Sequence, residues 1–173
     1  LFVDHSLEGN VGGKVVLITG ASSGIGKTSA LRLAEAGAHV LLVARSAEKL
    51  EETAAEIATV GGVATIYQAD VSDLADCDRL VAEVLENHGF IDILLNNAGR
   101  SIRRSLELSY DRFHDFERTM QINYFGAIRL TMGLLPSMAE RGTGHIINMS
   151  SISALTPSPR FSAYVASKSA LDA

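Results

Sequence analysis

Two residues near the end of the chain, Tyr164 and Lys168, have types and a spacing that suit acid–base chemistry on a bound ligand. Four positions apart on a helix, their side chains lie on one face and reach the same ligand. A tyrosine hydroxyl can donate a proton, and an adjacent ammonium stabilises the phenolate that results. The pattern therefore predicts a proton-transfer site, provided that one helix carries both residues.

A second stretch, from Gly20 to Gly26, has the glycine spacing of a phosphate-binding turn. The apolar run 14–19 before it predicts a strand, and a helix is expected from about Gly24. Gly20 allows a sharp turn, Gly24 lets the backbone approach a pyrophosphate, and Gly26 lets the helix lie close to the sheet. A tight turn without a ligand is the alternative. The amphipathic helix that follows and a second strand ending at Ala44 favour a dinucleotide site.

The elements that position these residues alternate between strands and helices. The sequence predicts strands at 14–19, 39–44, 63–69, 91–95 and 145–150, and helices at 24–36, 47–59, 73–88, 109–141 and from about 162. On the long helix, the stripe predicted for core and subunit contacts is Phe113, Phe116, Met120, Ala127, Leu130 and Leu134. The alternation predicts an α/β fold with a doubly wound parallel sheet. Residues 1–13 are expected to be an N-terminal arm or linker before one domain at 14–173.

Composition excludes several classes of function. The 173 residues include 15 Lys and Arg against 20 Asp and Glu, a formal net charge of −5. No basic cluster marks a nucleic-acid partner, and no apolar run is long enough for a membrane span. The single cysteine, Cys77, forms no internal disulfide, so the expected location is the reducing cytoplasm. His145 has no partner at metal-ligand spacing, so no metal is expected.

Together these motifs resemble those of the short-chain dehydrogenase/reductase (SDR) family. The resemblance is carried, in the family's order and spacing, by Thr19-Gly20-x-x-x-Gly24-x-Gly26, Asn96-Asn97-Ala98-Gly99, Asn123, Ser151 and Tyr164-x-x-x-Lys168. It runs from about Lys14 to the last residue and implies a Rossmann-type domain that binds a nicotinamide dinucleotide. Family members continue past this lysine, so the resemblance also implies that C-terminal strands and a substrate lid are missing from this sequence.

The resemblance implies a catalytic set of Asn123, Ser151, Tyr164 and Lys168. Tyr164 is then the general acid in carbonyl reduction, or the base in alcohol oxidation. Lys168 holds the nicotinamide ribose, and Ser151 hydrogen-bonds the substrate oxygen, since the family spacing favours it over Ser150. Asn123 takes a proton-relay position at a helix kink. The implied reaction is hydride transfer between nicotinamide and a carbonyl or alcohol carbon.

The residues after the second strand select the cofactor. An NAD site of this type usually has an acidic residue there, which would repel a 2′-phosphate. Here Ala44 is followed by Arg45 and Ser46, which favour a phosphate, so NADP(H) is expected. The alternative is an arginine on a solvated turn. Asp70 and Val71 are expected beside the adenine, although Asp70 could instead cap the next turn. The full expected cofactor-binding set is Gly20, Ser22, Ser23, Gly24, Ile25, Gly26, Arg45, Ser46, Asp70, Val71, Asn97, Ala98, Gly99, Tyr164 and Lys168, with Asn96 adjacent.

The substrate is left open between several alternatives. The stretches 6–9 and 96–104 are similar to the reductase module of larger fatty-acyl-CoA reductases, which implies reduction of a fatty-acyl thioester to an aldehyde. A ketone or 3-oxoacyl thioester reductase or secondary alcohol dehydrogenase is the first alternative, and a non-catalytic NADP(H)-binding module is another. Arg103 and Arg104 are hypothesised to hold the phosphates of a coenzyme A or carrier-protein thioester, with a solvated loop as the alternative. The resemblance also implies a homo-oligomer.

Overall fold

The computed structural model describes residues 6–156 and 158–173. Its strands are Val15–Thr19 (β1), His39–Ala44 (β2), Val63–Gln68 (β3), Ile93–Asn96 (β4) and His145–Asn148 (β5). Its α-helices are Leu7–Val11 (α1), Gly24–Glu35 (α2), Ala47–Thr59 (α3), Leu74–His88 (α4), Phe113–Met120 (α5), Gly126–Arg141 (α6) and Ser162–Asp172 (α7). A π-helical turn, Gln121–Phe125, joins α5 to α6, and short 3-10 helices occupy Leu106–Leu108 and Ile152–Ala154. Across these described ranges, no helix is both long and apolar enough to cross a bilayer.

The five strands form one parallel sheet in the order β3-β2-β1-β4-β5. Successive side chains of a strand point to opposite faces, so Ile18 and Leu42 pack with α2 and α3, whereas Leu17 and Leu41 face α4 and α6. The predicted doubly wound α/β fold is confirmed. In such sheets, ligands bind outside the carboxyl ends of the strands where the strand order reverses, which here is between β1 and β4.

The structure differs from the predicted arm at residues 7–13. Ser6 caps α1, since its hydroxyl accepts a hydrogen bond from the N–H of Gly9 at 3.0 Å. Val11 is buried in the core cluster that contains α2, and the N–H of Gly13 donates to the carbonyl of Gly37 at 2.9 Å. A helix of five residues is too short to show a helical periodicity in the sequence. The rest of the predicted arm, residues 1–5, lies outside the described residues.

The long helix predicted at 109–141 begins at Phe113 instead, and it consists of α5, the π-helical turn and α6. In the turn, the N–H of Gly126 donates to the carbonyl of Gln121, five residues earlier. A side chain at Gly126 would overlap the carbonyl oxygen of Val71, so α6 packs directly against the loop after β3. Pro136 lies inside α6 and does not end it, because the helix continues to Arg141.

Polar side chains fill the buried face of α5, which corrects the predicted apolar stripe. Asp115 and Thr119 are buried, whereas Phe113, expected to make core or subunit contacts, is 71% exposed. Asp115 accepts hydrogen bonds from Arg104 at 3.2 Å and from Arg112 at 3.0 Å. These partners let a carboxylate face the interior, because a buried charge is tolerated when it is paired. The apolar stripe is correct only from the start of α6, where its buried members are Ala127, Leu130 and Leu134.

Candidate active site

The turns that follow β1 and β4 are fastened together by a pair of polar side chains. The Thr19 hydroxyl accepts hydrogen bonds from the N–H groups of Asn97 at 3.0 Å and Ala98 at 2.9 Å. In return, the Asn97 side-chain amide donates to the Thr19 carbonyl at 2.8 Å. Thr19 is buried, so these bonds satisfy groups that water does not reach. The carboxyl ends of the two strands are therefore fixed at the point where the strand order reverses.

The three motif glycines serve different local requirements. Gly20 has a φ of +69°, which lets the chain turn sharply after β1. A Cβ on Gly26 would overlap the Gly20 carbonyl oxygen and the Asn97 amide, so α2 packs tightly on this turn. Gly24 has a φ of +53°, and no atom of the described residues lies within 4 Å of the position that its Cβ would take. The turn is therefore closely packed at Gly26 and open at Gly24.

A cleft of about 480 Å³, the dinucleotide cleft, runs along the carboxyl ends of β1, β2 and β4. Its size falls in the range of small-molecule sites, about 300–1,000 Å³. The predicted cofactor residues that line it are Gly20, Ser22, Ser23, Ile25, Arg45, Ser46, Asp70, Val71, Asn97, Ala98 and Gly99. Asn96, expected near the cofactor, is instead buried in the sheet, where its amide donates to Asn148 at 2.9 Å and Thr131 at 3.2 Å.

Two of the polar residues along the dinucleotide cleft also support the fold. Asp70 accepts hydrogen bonds from the backbone N–H of Ser72 at 2.9 Å and from its hydroxyl at 2.6 Å, so it closes the turn after β3. Ser46 caps α3 by accepting from the N–H of Lys49 at 3.4 Å. The Arg45 side chain is 73% exposed, and its only ion-pair contact among the described residues is with Asp70 at 3.9 Å. Its guanidinium is therefore available to a ligand in the cleft.

Helix α7 brings Tyr164 and Lys168 together at a second, smaller cleft. This catalytic cleft has a volume of about 200 Å³, and its lining also includes Met149, Ser150 and Arg100. Lys168 is 4% exposed, and its ammonium donates to the Met149 carbonyl at 2.5 Å. Burial lowers the pKa of the Lys168 ammonium. Since an ammonium has three donors, Lys168 keeps donors for a ligand beside Tyr164.

Asn123 connects the loop after β4 to the helix that carries the tyrosine. Its side-chain oxygen accepts from the N–H of Arg100 at 2.7 Å, and its amide donates to the Arg100 carbonyl at 2.9 Å and to the Ser167 hydroxyl at 2.8 Å. The Ser167 hydroxyl in turn donates to the carbonyl of Tyr164 at 2.8 Å. Asn123 is buried in the π-helical turn, at the helix irregularity that the family resemblance implies. Its side chain therefore positions both walls of the catalytic cleft.

Ser151 lies directly after a residue of the catalytic cleft, but its hydroxyl is engaged in its own turn. The Ser151 hydroxyl is 2.8 Å from the Ser153 hydroxyl and accepts from the N–H of Ser153 at 3.2 Å. Ser150, and not Ser151, lines the cleft beside Tyr164. The role of Ser151 toward a substrate stays a prediction.

The arginines of the basic stretch after Gly99 differ in their contacts, since one is bonded to the protein and another is exposed. Arg104 donates to the Asp115 carboxylate, and its N–H donates to the carbonyl of Arg160 at 2.7 Å. A hydrogen bond from Arg112, together with the nearby charges, lowers the pKa of the Asp115 carboxyl. Arg104 therefore fastens its loop to α5 and is not available for the phosphate role hypothesised for it, whereas Arg103 is exposed.

Comparison with known proteins identifies the family. The family model described as short chain dehydrogenase matches residues 14–173. The chain belongs to the SDR family. It is 60% identical to the fatty acyl-CoA reductase of Acinetobacter baylyi, across 95% of this chain and 56% of that protein. The chain spans about half the length of the curated relatives it matches.

Two solved SDR structures are similar to this SDR chain over most of its length. A metagenomic short-chain oxidoreductase in complex with NADP is 34% identical, with a TM-score of 0.89, over 94% of this chain and 73% of that one. An NAD+-bound xylitol dehydrogenase is also 34% identical, with a TM-score of 0.86, over 92% of this chain and 61% of that one. This SDR chain therefore has the fold of solved short-chain dehydrogenases that hold nicotinamide cofactors.

Sequence reasoning missed several residues that shape the site of this SDR chain. Ile122 and Lys49 line the dinucleotide cleft, and Gly126 allows α6 to approach Val71 in its wall. A glycine inside a helical pattern indicates a close packing contact, so Gly126 could have been singled out. Ile122 and Lys49 carry no comparable signal, because an apolar residue and a lysine are ordinary on a helix.

Proposed function

We propose that this chain forms the cofactor-binding and catalytic part of an NADP(H)-dependent reductase that converts a fatty-acyl thioester into an aldehyde. The observation that carries the proposal is the 60% identity, over 95% of the chain, to a protein named fatty acyl-CoA reductase. The shared cleft of Tyr164 and Lys168, which adjoins the dinucleotide cleft, supports it chemically, since a proton donor lies beside the cofactor site.

The residues of the dinucleotide cleft fit a nicotinamide dinucleotide. The side chain of Ser23, the N-cap of α2, makes no capping hydrogen bond, so the N–H groups of the first helical turn are available to a pyrophosphate. The space beside Gly24 is open, which lets a phosphate approach the backbone. The exposed Arg45 offers a planar guanidinium that suits a 2′-phosphate. These three features support NADP(H) as the cofactor.

The side chains of the catalytic cleft manage the proton and the charge. When bound, the cofactor supplies a hydride to the carbonyl carbon. Tyr164 donates its hydroxyl proton to the carbonyl oxygen, where negative charge develops, and the Ser151 hydroxyl, which contacts Ser153 in this structure, would have to turn to hydrogen-bond the same oxygen. The buried Lys168 stabilises the phenolate and binds the ribose of the cofactor with its remaining donors. Addition of one hydride and one proton, followed by loss of the thiol, yields the aldehyde.

The test compares a long-chain acyl-CoA with simple ketones in the full-length protein. NADPH oxidation and release of free thiol are measured in the same reaction. The proposal predicts that one thiol is released for each NADPH oxidised with acyl-CoA. Oxidation of NADPH with ketones and without thiol release would support a ketone reductase instead. NADPH binding without oxidation by any substrate would indicate a non-catalytic module.

Cofactor preference is tested by Arg45→Ala. We expect the Kd for NADPH to rise about tenfold, because an exposed charge-assisted contact with the 2′-phosphate is lost, while the Kd for NADH stays within about twofold. Fluorescence titration of both cofactors measures the change. Arg32→Ala removes an exposed arginine on α2 and serves as the control for net charge. An equal loss for NADPH and NADH would reject the assignment of Arg45 to the 2′-phosphate.

The cytoplasmic location and the homo-oligomeric assembly expected from the sequence remain predictions. Burial raises the pKa of the Cys77 thiol to about 11, so this cysteine is an unreactive core residue, in keeping with a cytoplasmic enzyme. Large apolar side chains on α5 and α6, among them Phe113 and Met132, are exposed, as expected for a chain that self-associates. Its proposed partner is a small-molecule carbonyl or acyl-thioester substrate and not a nucleic acid.

A further inference from the structure

A third cavity, of about 560 Å³, adjoins the dinucleotide cleft and the catalytic cleft, and we call it the arginine cavity. It shares Arg45 and Ile122 with the dinucleotide cleft, Arg100 with the catalytic cleft, and Gly99 with both. Its other lining residues are Ser72, Arg118 and Gln121. Among the described residues, three arginines and no carboxylate thus line one cavity next to the proposed site of reduction.

The arginines of this cavity differ from most other arginines in their partners, and among the described residues outside the cavity only Arg103 and Arg160 also lack a carboxylate within 4.0 Å. Six arginines elsewhere have a carboxylate oxygen within 4.0 Å, and they are Arg32, Arg79, Arg104, Arg112, Arg129 and Arg141. In residues 6–156 and 158–173, neither Arg100 nor Arg118 has an ion pair or a side-chain hydrogen bond, and Arg45 has only its 3.9 Å contact with Asp70. In a chain of net charge −5, unpaired cations that share a cavity indicate a binding site for an anion.

We propose that the arginine cavity binds the nucleotide phosphates of coenzyme A and so holds the carrier end of the acyl thioester. This inference rests on the proposed thioester reduction. Coenzyme A carries a diphosphate and a 3′-phosphate, and guanidinium groups bind phosphate oxygens with two parallel hydrogen bonds. Ser72 and Gln121 add neutral donors to the same wall.

The position of the cavity suits a substrate carrier. The dinucleotide cleft has its own glycine turn, helix N-terminus and Arg45, so the cofactor does not require Arg118. Arg100 borders both the arginine cavity and the catalytic cleft, so a ligand held by Arg100 and Arg118 extends toward Tyr164. Of the two arginines hypothesised for the carrier role, Arg104 is bound to Asp115 and Arg103 is not part of the arginine cavity, so the role passes to Arg100 and Arg118.

The test is a calorimetric titration of the full-length protein, saturated with NADP+, with coenzyme A that carries no acyl group. Arg118→Gln keeps a polar side chain of similar helix propensity but removes its charge. We expect the Kd for coenzyme A to rise about tenfold in this variant, since a charge-assisted contact is lost, while the Kd for NADP+ is unchanged. Arg32→Gln, on α2, is the charge-matched control and leaves both constants unchanged. Arg100→Gln provides a second variant if Arg118→Gln fails to fold.

Three results would overturn the assignment of the cavity. The first is an equal Kd for coenzyme A in the wild type and the variants. The second is a loss of NADP+ affinity without a loss of coenzyme A affinity, which would assign the cavity to the cofactor. The third is a variant that binds coenzyme A as tightly as the wild type but binds an acyl carrier protein more weakly. This result would assign the cavity to a carrier protein.

Failure of the cavity proposal and failure of the proposed function are separable. The titration needs no turnover, so it decides the cavity even if the wild type reduces no thioester. Conversely, the wild type is assayed with an acyl N-acetylcysteamine thioester, which lacks the nucleotide. Reduction of that compound supports thioester reduction whatever the titration shows.

Discussion

Tyr164→Phe is expected to lower kcat for NADPH-dependent carbonyl reduction by about a thousandfold, within the range found for loss of a general acid. The substitution removes the hydroxyl that donates the proton but keeps the aromatic ring, which is half-buried on α7. Lys168 keeps its bond to the Met149 carbonyl and its place in the catalytic cleft. The Kd for NADPH should therefore stay within about twofold, because only the proton-transfer step loses a partner. Stopped-flow turnover and a fluorescence titration measure the two effects.

Tyr110→Phe is the matched control for this substitution. Tyr110 is 86% exposed and lines none of the three cavities, so its variant should keep the activity of the wild type. A Tyr164→Phe protein with more than a tenth of the wild-type kcat would show that another group supplies the proton. A parallel loss of NADPH binding would instead show that the Tyr164 hydroxyl also contributes to cofactor binding.

Some strands and helices could be predicted from the sequence because the residue patterns that specify them lie within each element. The strand β2, His39–Ala44, and the helix α3, Ala47–Thr59, have the predicted bounds. A short apolar run is typical of a buried parallel strand, and a stripe of apolar residues is typical of a surface helix. The glycines of the turn were predictable for the same reason, since Gly20 needs a backbone conformation that other residues rarely adopt.

The inward face of α5 could not be predicted, because its stability depends on residues outside the helix. Phe113 satisfies the apolar pattern but is exposed, and Asp115 breaks the pattern but is buried. The difference arises from Arg104, which reaches Asp115 from the loop before the helix. The periodic pattern of the sequence shows only where apolar side chains recur. Whether a carboxylate can be buried depends on a charged partner, which only the tertiary structure supplies.

The same limit applies to the candidate site. Asn96 and Asn97 are neighbours in one motif, yet the side chain of Asn96 bonds to Asn148 in the sheet and that of Asn97 bonds to Thr19 at the cleft. Their order at the end of β4 places them on opposite sides of the strand. Likewise, Arg104 and Arg118 have the same side chain, but only Arg104 meets a carboxylate. Which arginine is available to a substrate is therefore a property of the tertiary contacts.

Gly26→Ala is expected to weaken the fold and cofactor binding together. Alanine would favour the helix by about 1 kcal/mol over glycine, but its Cβ would overlap the Gly20 carbonyl and the Asn97 amide. The Asn97 amide is held by its hydrogen bonds to the carbonyls of Thr19 and Gly20, so the helix has to move. Overpacking of this kind costs about 1–3 kcal/mol, which we expect as a net loss in the free energy of unfolding. The displaced turn should also raise the Kd for NADPH more than about tenfold, since phosphate-binding N–H groups act only when they are positioned.

Thr28→Ala separates this effect from a general effect of alanine on α2. Thr28 is exposed on the same helix, so its variant should change the free energy of unfolding by less than about 0.5 kcal/mol and leave NADPH binding unchanged. Urea unfolding and a NADPH titration are run on both variants. If Gly26→Ala lost stability but bound NADPH normally, the cofactor would not depend on this turn. A joint loss would show that one contact, between α2 and the turn after β1, supports both the fold and the phosphate site.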